Sequence, residues 1–138
     1  LMGVTVDFSQ YSEFFRRLEL AATKDFKREF KGFLEGCAIE FLNMVQDAIL
    51  ERGNVDTRLM LNSFHKGNPE NVWLEDGSSY EVGSNVYYVK YVNDGHHTRG
   101  GGRWIEGSHF WEAAVRLMEH EFPKYIQAKF EAWLPTLI

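Results

Sequence analysis

The chain has 138 residues and a formal net charge of −5, with 44% hydrophobic and 25% charged residues. This length suits one domain with one hydrophobic core, and the composition is typical of a soluble globular protein. The acidic balance argues against a dedicated binder of free double-stranded nucleic acid, because such proteins usually carry a net basic face.

The cysteine content and the length of the apolar runs indicate the redox compartment of the protein and whether it contacts a membrane. The single cysteine, Cys37, allows no internal disulfide and fits a reducing compartment. No secretory signal is recognisable, and no apolar run approaches the length that a membrane helix needs. We therefore expect no membrane partner.

The first part of the chain, residues 8–52, is predicted to be helical. Residues 8–22 place aromatic and aliphatic side chains on one face, and residues 24–52 show the strongest helical periodicity in the chain. Thr23 is a candidate N-cap between the two stretches, so the segment forms either one long amphipathic helix or two. The apolar positions of the second stretch are Phe26, Phe30, Phe33, Leu34, Cys37, Ala38, Phe41, Leu42, Val45, Ala48 and Ile49.

Residues 56–92 are predicted to contain a short turn and strands. Asp56 or Thr57 can cap a short helical turn. Residues 71–75 and 79–83 read as two short strands joined through an Asp-Gly turn, which is a strong hairpin signal.

The end of this region leads into a polar loop. Val86 to Val92 is rich in β-forming residues and predicts either a buried strand or a strand that passes into a helical turn near Tyr91. Residues 93–107 contain the glycines and charged side chains of a flexible loop.

The last element is predicted to be a helix over residues 108–133, capped by Ser108 and kinked or broken near Pro123. The order of elements indicates an α+β fold in a single domain, residues 1–138. In this fold the N-terminal helix, or pair of helices, packs on a small antiparallel sheet of three to four strands.

The loop contains residues that suit a metal site. His96, His97 and His109 with Asp94 would give the mixed ligand set of a catalytic zinc, and a small metal-dependent hydrolase or nuclease is the alternative function. The spacing matches none of the specific ligand signatures, and Ser108 is better explained as a helix cap than as a nucleophile. We therefore assign no catalytic, cofactor-binding or metal-binding residue and expect no cofactor.

The same loop also suits an interaction site. Gly100 to Gly102 lacks the following Lys-Ser/Thr of a phosphate loop and indicates backbone freedom instead. Arginine and tryptophan suit both single-stranded nucleic acid and protein hot spots, and the acidic net charge favours the protein partner. The predicted interaction loop comprises Tyr88, Tyr91, His96, His97, Arg99, Arg103 and Trp104.

Two motifs in a fixed order carry a resemblance to a known family. The first, Asp56-Thr57-x-Leu59-x-x-x-Ser63-Phe64, follows the long helix, and the second, VGSNVYYVKYVNDGH at residues 82–96, precedes a glycine-rich gap and a final helix. Over about residues 25–130 the chain resembles the tail-completion or head–tail joining proteins of long-tailed phages and prophage elements, the "gene product ten" tail components. It departs from the family pattern at three positions, which usually hold Gly, Ala and an acidic residue: Arg58, Val89 and Asn93.

The resemblance implies a structural, non-enzymatic protein of the virion neck or tail. It implies a homo-oligomeric ring between head and tail, assembled in the host bacterial cytoplasm from subunits that can be monomeric in isolation. The expected partners are other copies of the chain and the neighbouring head-connector and tail-tube or terminator proteins, with DNA only in transit. The family offers no catalytic residues to transfer.

Overall fold

The computed structural model describes residues 2–7, 26–52, 58–76 and 79–133. The predicted helix at residues 8–22 lies outside these ranges, as do the candidate caps Thr23, Asp56 and Thr57. The described elements follow one another as β1 (Met2–Asp7), α1 (Phe26–Glu51), α2 (Arg58–Ser63), β2 (Asn71–Asp76), β3 (Ser79–Ser84), α3 (Val89–Asp94), β4 (Gly95–His97), β5 (Trp104–Glu106) and α4 (Phe110–Trp133). The predicted α+β class is confirmed.

Helix α1 confirms the strongest periodic signal of the sequence. Its apolar residues recur every three or four positions and therefore fall on one face, which the rest of the protein covers. The buried residues on this face are Phe30, Leu34, Cys37, Ala38, Phe41, Leu42, Met44, Val45, Ala48 and Ile49.

The sheet contains the predicted hairpin and one strand that the sequence analysis missed. β2 and β3 pair antiparallel, and β1 pairs antiparallel with the other edge of β3, which is the central strand. The alternation Val4-Thr5-Val6 is the signal that predicts β1. The main sheet thus has three strands, within the predicted range.

Of the two alternatives predicted for residues 86–92, the one with a strand throughout is wrong. Ser84 ends β3 because its Oγ accepts the backbone N–H of Val86 at 3.1 Å, which turns the chain out of the sheet. Val86 and Val89 are both buried at a spacing of three residues, which suits a helix and not a strand. The helical turn near Tyr91 is confirmed as part of α3.

Two further boundaries differ from the prediction. Residues 93–107 do not form a loop throughout, because β4 and β5 pair there as a second, two-stranded sheet. Helix α4 begins at Phe110 and continues through Pro123 to Trp133 without a break.

An aromatic cluster joins α1, α2 and the start of α4. The ring of Phe64, just after α2, lies 6.0 Å from the rings of both Phe110 and Trp111, and Trp111 meets Phe41 of α1 edge-on at 5.3 Å. Such pairs stabilise beyond the area that they bury. The cluster therefore fixes the position of the start of α4 relative to α1 and α2.

Replacing Phe64 tests the importance of this cluster. Phe64→Ala should lower the free energy of unfolding by about 3–5 kcal/mol, because a fully buried aromatic ring leaves a cavity that its neighbours fill only partly. Leu59→Ala in α2, where the side chain is 57% exposed, is the matched control and should change it by about 0.5 kcal/mol or less. Urea unfolding of both variants measures the difference, and equal losses would contradict the packing.

Candidate interaction surface

Asn93 lies at the base of the β4–β5 hairpin, fully buried and fully hydrogen-bonded. Its Nδ2 donates to the side chains of Asp94 at 2.7 Å and Glu112 at 2.9 Å. Its Oδ1 accepts the backbone N–H of Trp111 at 2.8 Å, and its backbone oxygen accepts the N–H of His109 at 3.0 Å. One side chain therefore ties the end of α3 to the start of α4.

Asn93 takes the capping role that the sequence analysis gave to Ser108. The Oγ and N–H of Ser108 both donate to the backbone oxygen of Val92, at 3.4 and 3.0 Å, so Ser108 does not cap α4. His109 has a left-handed backbone with φ of 56°, and its carbonyl accepts the first helical bond from Ala113 at 3.2 Å. The cap comes from another element, which local sequence patterns do not reveal.

Two glycines close the hairpin base by direct backbone packing. A Cβ on Gly107 would overlap the backbone of Asn93, Asp94 and Gly95. Gly95 has φ of +95°, and a Cβ there would lie 2.6 Å from the ring of Trp104. Both positions therefore require glycine, because any side chain would push the two strands apart.

The hairpin tip is a hydrogen-bonded turn. The N–H of Thr98 donates to the carbonyl of Arg103 at 2.7 Å, and the N–H of Arg103 donates to the Thr98 hydroxyl at 2.9 Å. Gly100 and Gly101 have φ of +86° and +74°, which this turn needs. The glycine run, expected to give backbone freedom, thus builds a defined turn.

The hairpin side chains divide between its two faces. The register pairs His96 with Ile105 and His97 with Trp104, and successive strand residues point to opposite faces. The ring of His97 packs against Trp104 at 5.0 Å, whereas His96 meets the ring of Tyr91 at 6.3 Å.

Most of the predicted interaction residues are exposed. Tyr91 is 54% and Trp104 48% exposed, and His97, Arg99 and Arg103 are exposed as well. The predicted residues Tyr88 and His96 are only half-exposed, and Tyr88 packs against the core.

The prediction missed two exposed residues, Tyr87 and Ile105. Tyr87 is 80% exposed, and Ile105 belongs to a strand whose residues are all exposed. Only two sequence features could have indicated that these residues are exposed. They are the Tyr-Tyr pair that contains Tyr87 and the alternation around Ile105. We call the following exposed set the hairpin surface: Tyr87, Tyr91, His97, Arg99, Arg103, Trp104 and Ile105.

Glu106 links the hairpin to the start of α4. His109 Nε2 lies 2.8 Å from its Oε1, and the indole N–H of Trp104 donates to its Oε2 at 3.1 Å. The hydrogen bond from His109, then that from Trp104, lowers the pKa of the Glu106 carboxyl. Because the pKa of Glu106 is lower in the folded than in the unfolded state, its ionised carboxylate stabilises the fold at pH values above the unfolded-state pKa. This stabilisation is lost as the pH falls through the folded-state pKa.

The geometry gives no support to the metal alternative. His96 and His97 project from opposite faces of β4, and His109 is engaged with Glu106. Within the described ranges no three His, Cys, Asp or Glu side chains are grouped as metal ligands.

No helix within the described part of the chain has both the length and the apolar character to span a membrane.

Comparison with known proteins identifies the family. Residues 12–95, more than half of the chain, match the HK97-gp10-like family, described as "Bacteriophage HK97-gp10, putative tail-component". The chain therefore belongs to this family of phage structural tail proteins, and the resemblance seen in the sequence is confirmed.

Two proteins of Bacillus subtilis (strain 168) are similar over most of their length. One is YqbI, described as uncharacterized, which is 31% identical over 88% of this chain and 93% of its own. The other is the phage-like element PBSX protein XkdI, 32% identical over 87% of this chain and 92% of its own. No solved structure gives a significant match.

The two motifs behind the resemblance meet in the structure. Ser63 of the first motif and Ser84 of the second are fully buried, and their hydroxyls lie 2.6 Å apart. The Ser63 hydroxyl donates to the carbonyl of Met60 at 2.5 Å, while Ser84 accepts the N–H of Val86. The motifs thus join α2 to the end of β3, from which the chain enters α3 and the hairpin.

Asn93→Asp tests the buried cap. The substitution replaces an NH₂ donor by a carboxylate beside Asp94 and Glu112, so the free energy of unfolding at pH 7 should fall by about 3 kcal/mol or more. Burial and like charge raise the pKa of the introduced carboxyl above its unfolded value of about 3.9. The deficit relative to wild type should therefore shrink as the pH falls towards 4, because a protonated carboxyl carries no charge.

Asn85→Asp is the control for this test, because Asn85 is exposed. This substitution should have little effect on the free energy of unfolding at pH 7 or near pH 4. A loss that does not depend on pH in Asn93→Asp would contradict the electrostatic part of the explanation.

Gly107→Ala tests the closure of the hairpin base. The added methyl overlaps the backbone where α3 ends and β4 begins and should lower the free energy of unfolding by about 2 kcal/mol or more. Gly32→Ala in α1, where a Cβ meets nothing within 4 Å, should instead stabilise by about 1 kcal/mol. Thermal unfolding of both variants checks the opposite signs, and the same sign for both would contradict this description.

Proposed function

We propose that this chain is the tail-completion, or neck, subunit of a tailed phage or prophage element. In this role it is structural and not catalytic. Several copies form a closed ring that joins head and tail through contacts with the head connector on one side and the tail tube or its terminator on the other. Membership of a tail-component family supports this role, and the similarity to XkdI, a protein of the phage-like element PBSX, supports a prophage element as a source.

The observation that carries the proposal is the hairpin surface. Tyr87, Tyr91, Trp104 and Ile105 expose large hydrophobic side chains around the hairpin. Ile105 lies on the face of His96, which meets Tyr91, whereas Trp104 lies with His97 on the other face, so both faces of the hairpin are exposed. Tyrosine and tryptophan are enriched in the buried centres of protein interfaces, as is arginine, which Arg99 and Arg103 supply. A surface of this composition suits a protein partner.

The surface is also preorganised for binding. The glycine contacts, the Asn93 cap and the Thr98–Arg103 turn hold the hairpin in one conformation. A preorganised element loses little conformational entropy when it binds, so more of its contact energy contributes to affinity. The sequence analysis expected a flexible loop, whereas the hydrogen-bonded hairpin already has a defined conformation.

The net charge fits a subunit that lines a DNA path. With a charge of −5, the chain lacks the overall positive field on which nonspecific DNA binding depends. DNA can then pass through the ring without being retained. We propose the virion neck as its final location, after assembly in the host cytoplasm.

The double variant Tyr91→Ala/Trp104→Ala tests this function. We expect a folded subunit that leaves heads and tails separate, because losing a hot spot costs about 2 kcal/mol, or roughly 30-fold in affinity. Electron microscopy of lysates and the titre of infectious or joined particles measure the effect.

The matched control removes two exposed leucines outside the hairpin surface, Leu74→Ala/Leu117→Ala, and should join heads to tails normally. Circular dichroism of both double variants checks that each is folded. Normal numbers of joined particles from the folded Tyr91→Ala/Trp104→Ala variant would refute the proposal.

A further inference from the structure

A groove lies between α1 and α4, away from the hairpin. It has a volume of about 480 Å³ and is lined by Phe33, Gly36, Cys37, Glu40 and Tyr125. A Cβ on Gly36 would meet nothing within 4 Å, so this glycine leaves space that a side chain would fill. The walls are mainly apolar and aromatic, and the groove is open to the surface of the protein.

The mouth of the groove is acidic. Burial, followed by the negative charges of Glu40 and Glu121, raises the pKa of the Tyr125 hydroxyl. Burial and Glu40 likewise raise the pKa of the Cys37 thiol to about 12. Glu121 forms an ion pair with Lys124, whose Nζ lies 3.5 Å from Oε1 of Glu121. Glu40, in contrast, forms no ion pair with a described residue.

The tip of the hairpin has the complementary character. Trp104 presents a half-exposed indole, and Arg103 precedes it at the edge of the turn, with Arg99 across the turn. Neither arginine forms an ion pair with any residue in the described ranges. The indole N–H of Trp104 is bonded to Glu106, and the two arginines lie at the turn beside it. An aromatic side chain next to two arginines suits an aromatic groove with a carboxylate at its mouth.

The hairpin lies at one end of the α1–α4 pair, and the groove lies further along it, near the middle of α1. Arg52, at the end of α1, donates to the carbonyl of Ser108 at 2.7 Å, beside the base of the hairpin. The two helices run antiparallel from there, and Tyr125 faces Cys37 across the groove. Tyr125 is fifteen positions beyond Phe110 in α4, which is about 22 Å at 1.5 Å per residue.

We propose that the hairpin tip of one copy docks into the α1–α4 groove of the next copy, with Trp104 in the groove and Arg103 facing Glu40. This inference rests on the proposed ring and names the surfaces that meet in it. Two different, well-separated surfaces of one subunit make a head-to-tail contact, which repeats from copy to copy and closes when the rotation allows.

Gly36→Leu tests the groove without weakening the subunit. The leucine fills the groove, and it also improves the helix propensity of α1. We expect a folded protein of equal or greater thermal stability and about a 30-fold fall in joined particles, the effect of losing one hot spot. Gly32→Leu is the matched control, because Gly32 has the same open surroundings but does not line the groove, and it should join heads to tails normally.

A charge exchange tests the pairing of Arg103 with Glu40. Arg103→Glu and Glu40→Arg should each reduce the joining of heads to tails, because each places two like charges opposite one another. The double variant should restore joining, because opposite charges then face each other again, with their positions exchanged. Arg103→Glu with Glu119→Arg has the same net charge as the wild type, but Glu119 is an exposed residue that does not line the groove, so this combination should not restore joining.

The outcomes separate this inference from the proposed function. If folded Gly36→Leu joins normally, or if the charge exchange fails to restore joining, the hairpin–groove contact is wrong. The proposed function would still stand if Tyr91→Ala/Trp104→Ala prevents joining, with the hairpin then meeting another surface or another protein.

Discussion

The structure depends on the buried amide of Asn93. A primary amide offers two donors and one good acceptor, and burying it without partners would cost several kcal/mol. Here both donors go to carboxylates, on Asp94 and Glu112, and the acceptor takes the N–H of Trp111. The end of α3 and the start of α4 can therefore separate only if these bonds break, and the hairpin between them keeps a fixed base.

This fixed base explains how a small element can present a binding surface. The hairpin has only three residues in each strand and little contact with the core, so it would be marginal by itself. The backbone packing of Gly95 and Gly107 and the bonds between Glu106 and His109 hold it at the start of α4. The exposed aromatic and basic side chains are thereby held in a fixed arrangement, which suits the protein partner that we propose.

The sequence predicted what depends on periodicity and missed what depends on tertiary contacts. Helix α1 and the β2–β3 hairpin follow from the spacing of apolar residues and a turn signal. The second hairpin does not, because the roles of Gly95 and Gly107 arise from backbone atoms that approach across the chain. Ser108 has the local pattern of a cap, yet Asn93 provides it from another element, and no local rule ranks the two. Most residues of the proposed hairpin surface were predicted from composition, whereas Tyr87 and Ile105 and the exposure of the whole set required the structure.

Cryo-electron microscopy of joined head–tail particles, at a resolution that places side chains, tests the central claim most directly. We predict that Trp104 and Tyr91, which are exposed in the free subunit, are buried against a neighbouring chain, and that the hydrogen bonds of Asn93 are unchanged. A neck ring in which the hairpin faces solvent on every side, or from which this chain is absent, would contradict it.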